Sequence, residues 1–195
     1  MALSARFDEA LVYAHDLHRE QTRKGRDVPF VSHLLGVSSL VLEEGGGEDQ
    51  AIAALLHDAA EDQGGRATLE VIRRRFGDDV ARIVEACTDS LRDPLPPWRS
   101  RKEAYVDRLP HQSADALLVS LADKVHNVGM LALALAEHGP GYLDQLAGGR
   151  EGRLWYYRAL ADTYPAIDGF ESRLIAVLRR FVEEVESLAS RESTG

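Results

Sequence analysis

The stretch His57-Asp58-Ala59-Ala60-Glu61-Asp62 puts four ionisable side chains within six residues, directly after the apolar run Ala51-Ile52-Ala53-Ala54-Leu55-Leu56. Half-burying that many ionisable groups costs several kcal/mol unless a cation or hydrogen-bonding partners compensate them. A metal ion is the simplest compensator. Adjacent His and Asp side chains on the last turn of a helix diverge by roughly a quarter turn, so both reach one ion if further ligands arrive from other segments. Glu61 and Asp62 then stand about one turn further on, placed to handle protons or water rather than to ligate. The bland alternative is a His57 that caps a helix end and carboxylates that open a solvated loop.

Other segments offer the missing ligands. His33 stands near the start of a helix, and Asp123 follows the most apolar run of the chain, Ala116-Leu117-Leu118-Val119-Ser120-Leu121-Ala122. A carboxylate in such a core needs a partner, and Asn127 shares its face at i,i+4. Two imidazoles and two carboxylates, His33, His57, Asp58 and Asp123, form a mixed nitrogen and oxygen set that suits Mn²⁺, Fe²⁺ or Zn²⁺ with positions left for water. Chemistry of that kind is metal-assisted hydrolysis. Cations cluster at Arg23, Lys24 and Arg26, and Arg153 and Tyr157 are again i,i+4 on an aromatic-rich helix.

The elements that carry these residues read as helices throughout. Apolar residues recur at helical spacing from Ser4 to Gln21, and His33 to Glu44 follows the break at Gly25 and Pro29. Glu48 to His57 or slightly beyond carries the central motif, and Gln63-Gly64-Gly65 ends it. Thr68 is a candidate N-cap for Leu69 to Phe76, and Asp78-Asp79 open the next helix through Cys87. The prolines between Leu91 and Pro97 predict an irregular connection before Trp98 to Leu109. Ser113 caps a long helix to His138 that is apolar on nearly every side and therefore central. Arg150 to Tyr164 and Phe170 to Ala189 complete the chain. The expectation is an all-α bundle of eight or nine helices around the Ser113 to His138 helix, with residues 1–195 as a single domain.

Composition narrows the function classes. The 195 residues carry 32 Asp and Glu against 23 Lys and Arg, a net charge of -9, which disfavours nucleic acid as a partner because most of the surface would repel a phosphate backbone. A small anionic ligand is still served by locally focused cations. The single cysteine, Cys87, permits no disulfide within the chain and suits a reducing cytoplasm. No stretch approaches about 18 uninterrupted apolar residues, so neither a membrane span nor a signal peptide is expected. Oligomeric state is not legible.

In the order His, His-Asp, Asp, these motifs resemble the HD phosphohydrolase superfamily, and the flanking residues narrow the likeness. His18-Arg19-Glu20-Gln21-Thr22-Arg23-Lys24-Gly25 followed by Pro29-Phe30-Val31-Ser32-His33 is similar to the entry motif of the RelA/SpoT hydrolase domain. His57-Asp58-Ala59-Ala60-Glu61-Asp62 is similar to its His-Asp-x-x-Glu-Asp box, and Leu121-Ala122-Asp123-Lys124-Val125-His126-Asn127 to its Ala-Asp-Lys-x-x-Asn element. The resemblance spans about Leu11 to Tyr164. With no synthetase half after the last helix, it points to the stand-alone small alarmone hydrolases. It implies His33, His57, Asp58 and Asp123 as metal ligands, usually for Mn²⁺, and Glu61 and Asp62 as the pair that activates water and assists the leaving group. Arg23, Lys24, Asn127, Arg153 and Tyr157 would line the nucleotide site. Phe30 stands where the family usually has Tyr, so stacking on a base or ribose is expected without the phenol's hydrogen bond. His18 reads as structural, holding the loop after the first helix. The implied reaction is hydrolysis of the 3′-pyrophosphate of ppGpp or pppGpp to GDP or GTP and pyrophosphate. Alternatives are ppApp-type nucleotides, the 2′-phosphate of NADPH, or a non-catalytic alarmone sensor.

Overall fold

The computed structural model describes residues 2–23, 27–91 and 94–191, and Lys24 lies outside them. Ten α-helices and three short 3₁₀ segments occur among the described residues, with no strand beyond an isolated bridge between Thr22 and Pro29. The chain divides into two compact units, residues 1–95 with 112–123 and residues 96–111 with 124–195.

The first unit is assembled on α3 (Glu48–Leu56), in which Ala51 through Leu56 are all fully buried. A helix buried on every face must have neighbours on every side. They are α1 (Ala5–Leu17), α2 (Val31–Glu43) and α6 (Asp78–Cys87). Ser4 caps α1 by accepting the Arg6 amide at 3.2 Å, and the small residues Ala10 and Ala14 form its buried face. Helix α1 ends at Leu17, a turn earlier than its periodicity predicts, because the His18 amide still bonds four residues back, to Ala14 O, whereas the Gln21 amide bonds only three back, to His18 O at 3.0 Å.

The central motif splits into two helices where the sequence predicts one. Asp58 sits at φ -93°, ψ -7°, so α3 stops at Leu56 and a single turn, α4 (Ala59–Asp62), follows it. The Asp62 amide still bonds Asp58 O at 2.9 Å, which preserves the one-turn spacing between those two side chains. Gly64 at φ +100° and Gly65 at φ +64° then turn the chain into α5 (Gly65–Phe76), and a Cβ at Gly64 would meet Thr68 Oγ1 at 2.7 Å. Thr68 is consequently inside α5, its hydroxyl bonded to Gln63 O, and does not cap the helix.

In the second unit, α7 (Trp98–Arg108) and α10 (Leu174–Ala189) pack on α9 (Gly149–Thr163). Trp98 explains the glycines at the start of α9: a Cβ on Gly148 or Gly152 would stand 2.7 or 3.0 Å from its ring. Helix α8 (Ala114–His138) gives its residues through Asp123 to the first unit and the rest to the second. It is long and apolar enough to span a bilayer by composition, yet 72% of its most apolar window is buried within the protein, as in a core helix.

Candidate metal centre

Three segments bring four side chains together. Helix α2 buries His33 completely, the end of α3 delivers His57 at 2% exposure, Asp58 follows it, and α8 supplies Asp123 at 5% exposure. His33 Nε2 and His57 Nε2 are 3.3 Å apart. Asp58 Oδ2 stands 3.1 Å from the His57 nitrogen and 3.5 Å from that of His33. Asp123 Oδ1 is 3.2 Å from His33 Nε2 and 3.5 Å from His57 Nε2. Among the described residues, His33, His57 and Asp58 each offer an atom within 4.8 Å of the others, the spacing needed to share one ion.

The donor set fits a metal for a reason of valence. His57 Nδ1 lies 2.8 Å from Ala54 O, an acceptor, so that nitrogen must donate and the neutral ring leaves a lone pair on Nε2. That lone pair points at carboxylate oxygens and at a second imidazole nitrogen. Acceptors so converged in a buried site repel one another unless a cation lies between them. In the metal-free protein a proton takes that part. Burial opposes charge on His57, but the carboxylates of Asp58 and Asp123 outweigh it and hold the imidazole well above its ordinary pKa. Asp58 is the mirror case: desolvation pushes its carboxyl up, and the His57 and His33 rings outweigh that and hold it well below the usual range. With 29% of its side chain exposed, Asp58 is the edge of the cluster open to solvent, where water and substrate can reach it.

Glu61 and Asp62 are held differently. Glu61 Oε2 accepts the backbone amide of Asp89 at 2.9 Å, and Asp62 Oδ2 accepts the side-chain amide of Gln21 at 2.8 Å. Asp89 and Ala54 O carry no motif and were beyond sequence reasoning, whereas Gln21 lies inside the stretch quoted for the resemblance.

Phe30 is placed otherwise than the sequence suggests. Only 7% exposed, its ring stacks on His18 at 4.9 Å, meets His33 edge-on at 5.6 Å and carries the Arg23 guanidinium at 5.5 Å. The buried ring lies against His18 and His33. His18 holds the loop, as expected, through the contact of its Nδ1 with Gln21 Oε1 at 2.7 Å.

Asn127, Arg153 and Tyr157 belong to the second unit. Asn127 is half-buried on α8, and Tyr157 is buried at 4%. Arg153 donates from Nε to Ala147 O at 2.9 Å and lies 5.5 Å from the Trp98 ring, an aromatic partner that its own motif does not disclose.

Comparison with known proteins places this geometry. The HD domain family matches residues 10–142. The chain is 42% identical over 123 residues to the guanosine-3′,5′-bis(diphosphate) 3′-pyrophosphohydrolase MESH1 of Xenopus tropicalis, covering 62% of this chain and 66% of that protein. It is 39% identical over 128 residues to the enzyme of the same name from Homo sapiens, covering 64% and 69%. The solved structure of a metazoan orthologue of SpoT that hydrolyses ppGpp superposes with a TM-score of 0.77 at 27% identity, covering 94% of this chain and 97% of that one. A family match over residues 10–142, with relatives of this identity, shows that the chain belongs to the HD domain family of metal-dependent phosphohydrolases.

Proposed function

We propose that this protein hydrolyses the 3′-pyrophosphate of ppGpp or pppGpp, releasing pyrophosphate and GDP or GTP, with Mn²⁺ as its divalent metal. The observation that carries the reading is the convergence of His33, His57, Asp58 and Asp123 within 3.1 to 3.5 Å across three segments. Relatives named for this reaction support the substrate. A divalent cation held by these four residues would supply Lewis-acid activation of water and neutralise charge on the attacked phosphoryl group.

The chain's own residues do the rest. As a water oxygen bonds to phosphorus its proton must leave, and the 3′ oxygen must gain one as it departs. Glu61 and Asp62, one turn past the ligands, are the carboxylates placed for those transfers. The Asp89 amide aims Glu61 and the Gln21 amide aims Asp62, so neither has to be ordered anew when substrate arrives. Arg23, Lys24 and Arg153 supply positive charge for a polyanionic ligand, with Asn127 and Tyr157 as polar contacts, in a protein whose net charge is -9. Phe30 supports His33 from behind. The lone cysteine, Cys87, is a buried thiol outside any disulfide, which suits work in the reducing cytoplasm.

The test is a panel of ppGpp, pppGpp, ppApp and NADPH with purified protein, with and without Mn²⁺, reading pyrophosphate and orthophosphate separately. Metal-dependent pyrophosphate release from the guanosine compounds is expected. Orthophosphate alone, or preference for NADPH, would move the assignment to another phosphate ester.

A further inference from the structure

We infer that Gln21 is a positioning residue that sets the orientation of Asp62, through a one-way hydrogen-bond chain anchored at His18. The inference rests on the reading of Asp62 as a proton-handling carboxylate. Asp62 is exposed at the end of a four-residue helix, beside a cleft of about 540 Å³ lined by Leu17, Gln21 and Gln63 among others. Packing does not lock its side chain, and the cleft gives it room to turn away.

The direction of the chain follows from donor and acceptor chemistry. An ionised carboxylate only accepts, so the Gln21 group 2.8 Å from Asp62 Oδ2 must be its NH₂. That assignment turns Gln21 Oε1 the other way, where it meets Gln63 Nε2 at 2.8 Å and His18 Nδ1 at 2.7 Å. Both of those must then donate, which fixes the proton of His18 on Nδ1. A cost accompanies this choice: His18 Nε2 is buried without a hydrogen-bond partner, which is destabilising. The fold accepts that penalty and keeps the ring stacked on Phe30. The backbone of Gln21 is also pinned on both sides, its amide to His18 O at 3.0 Å and its carbonyl to the Phe30 amide at 2.9 Å. Gln21 therefore joins the segment leading to His33 with the carboxylate at the end of α4, so ligand and proton handler share one rigid reference.

Gln21→Glu tests this, because it keeps the length of the side chain and an acceptor for His18 and Gln63 but presents an acceptor to Asp62. Outer hydrogen-bond partners of this sort typically contribute about 10–100-fold. We expect kcat for ppGpp to fall by roughly that factor while KM and metal content stay at wild-type values. In an Asp62→Asn background the same substitution should change kcat by less than about threefold, since the contact it spoils is already altered. Gln21→Met, of similar length without any polar group, should reproduce the kcat loss. Wild-type kcat in Gln21→Glu, or equal losses in both backgrounds, would overturn the inference. So would misfolding of both Gln21 variants in thermal melts, which would make the residue a structural one. Absence of pyrophosphate release by the wild-type protein is a separate result: it would overturn the functional reading and this inference together.

Discussion

Two members of the candidate metal cluster, His57 and Asp58, lie within five residues of Glu61 and Asp62 in sequence, but the fold restrains the cluster and the turn by opposite means. His33 and Asp123 on long helices and His57 at the end of α3 are 0 to 5% exposed, so burial fixes their positions whatever occupies the space between them. Glu61 and Asp62 sit on a one-turn helix, the first half-buried and the second exposed, and hydrogen bonds from distant segments aim them. Burial creates a binding site that is hard to deform and costly to leave empty. Hydrogen bonds at a rim create orientation that one substitution removes. Changes in the first region should therefore report as metal and stability, and changes in the second as turnover.

The largest effect should come from breaking the cluster. His57→Ala and Asp58→Ala should each lose the metal and nearly all activity, because the remaining groups no longer surround an ion with four ligands. Metal content by mass spectrometry, read beside the rate, checks this; full occupancy with a wild-type rate would mean the coordination is misassigned.

Glu61→Gln probes the other side of the contrast. It keeps size and an acceptor for the Asp89 amide but cannot take a proton, so kcat should drop by about 10²–10⁴-fold with metal and substrate affinity retained. Metal loss would transfer Glu61 to the ligand set, and an unchanged kcat would remove it from the chemistry.

Arg153→Ala should leave metal untouched and raise KM by roughly 10–100-fold, the loss of a charge-assisted contact worth about 1.5–3 kcal/mol in ground and transition states alike. An unchanged KM would take α9 out of the substrate site.

The smallest effect, and the one that sharpens the role of burial, is on pH. His57 has a raised folded-state pKa, so in metal-free protein its contribution to stability is complete below the unfolded value near pH 6.5 and is lost as pH rises through the folded value. Asp58 has a lowered one, so its contribution is present above the ordinary carboxylate range and lost as pH falls through the folded value. Metal-free protein should then be most stable on the acid side of neutrality and weaken toward alkaline pH, whereas metal-loaded protein should not. Because metal must displace the His57 proton, affinity should rise by up to about tenfold per pH unit until that proton is gone. Thermal melts and metal titrations from pH 5 to pH 9 decide this, and a metal-free Tm that climbs through that range would exclude the protonated His57.

The helical class and most helix positions were legible in the sequence, because apolar spacing and caps act locally: Ser113 Oγ receives the Ala116 amide as its position predicts. His57, Asp58 and Asp123 stood out for a related reason, since ionisable groups inside apolar runs demand compensation, and the fold brings them beside His33. What the sequence could not settle is whatever depends on meeting across long separations. The break between α3 and α4 follows from the backbone at Asp58, and the burial of Phe30 against His18 and His33 joins residues of two segments. The bond from the Asp89 amide to Glu61 spans 28 residues and that from Gln21 to Asp62 spans 41, with no periodicity linking their ends. Residue types and local spacing determined which groups could hold a metal and which could move a proton. Only tertiary packing decided which way each one points, because orientation is set by the neighbours that the fold brings to it.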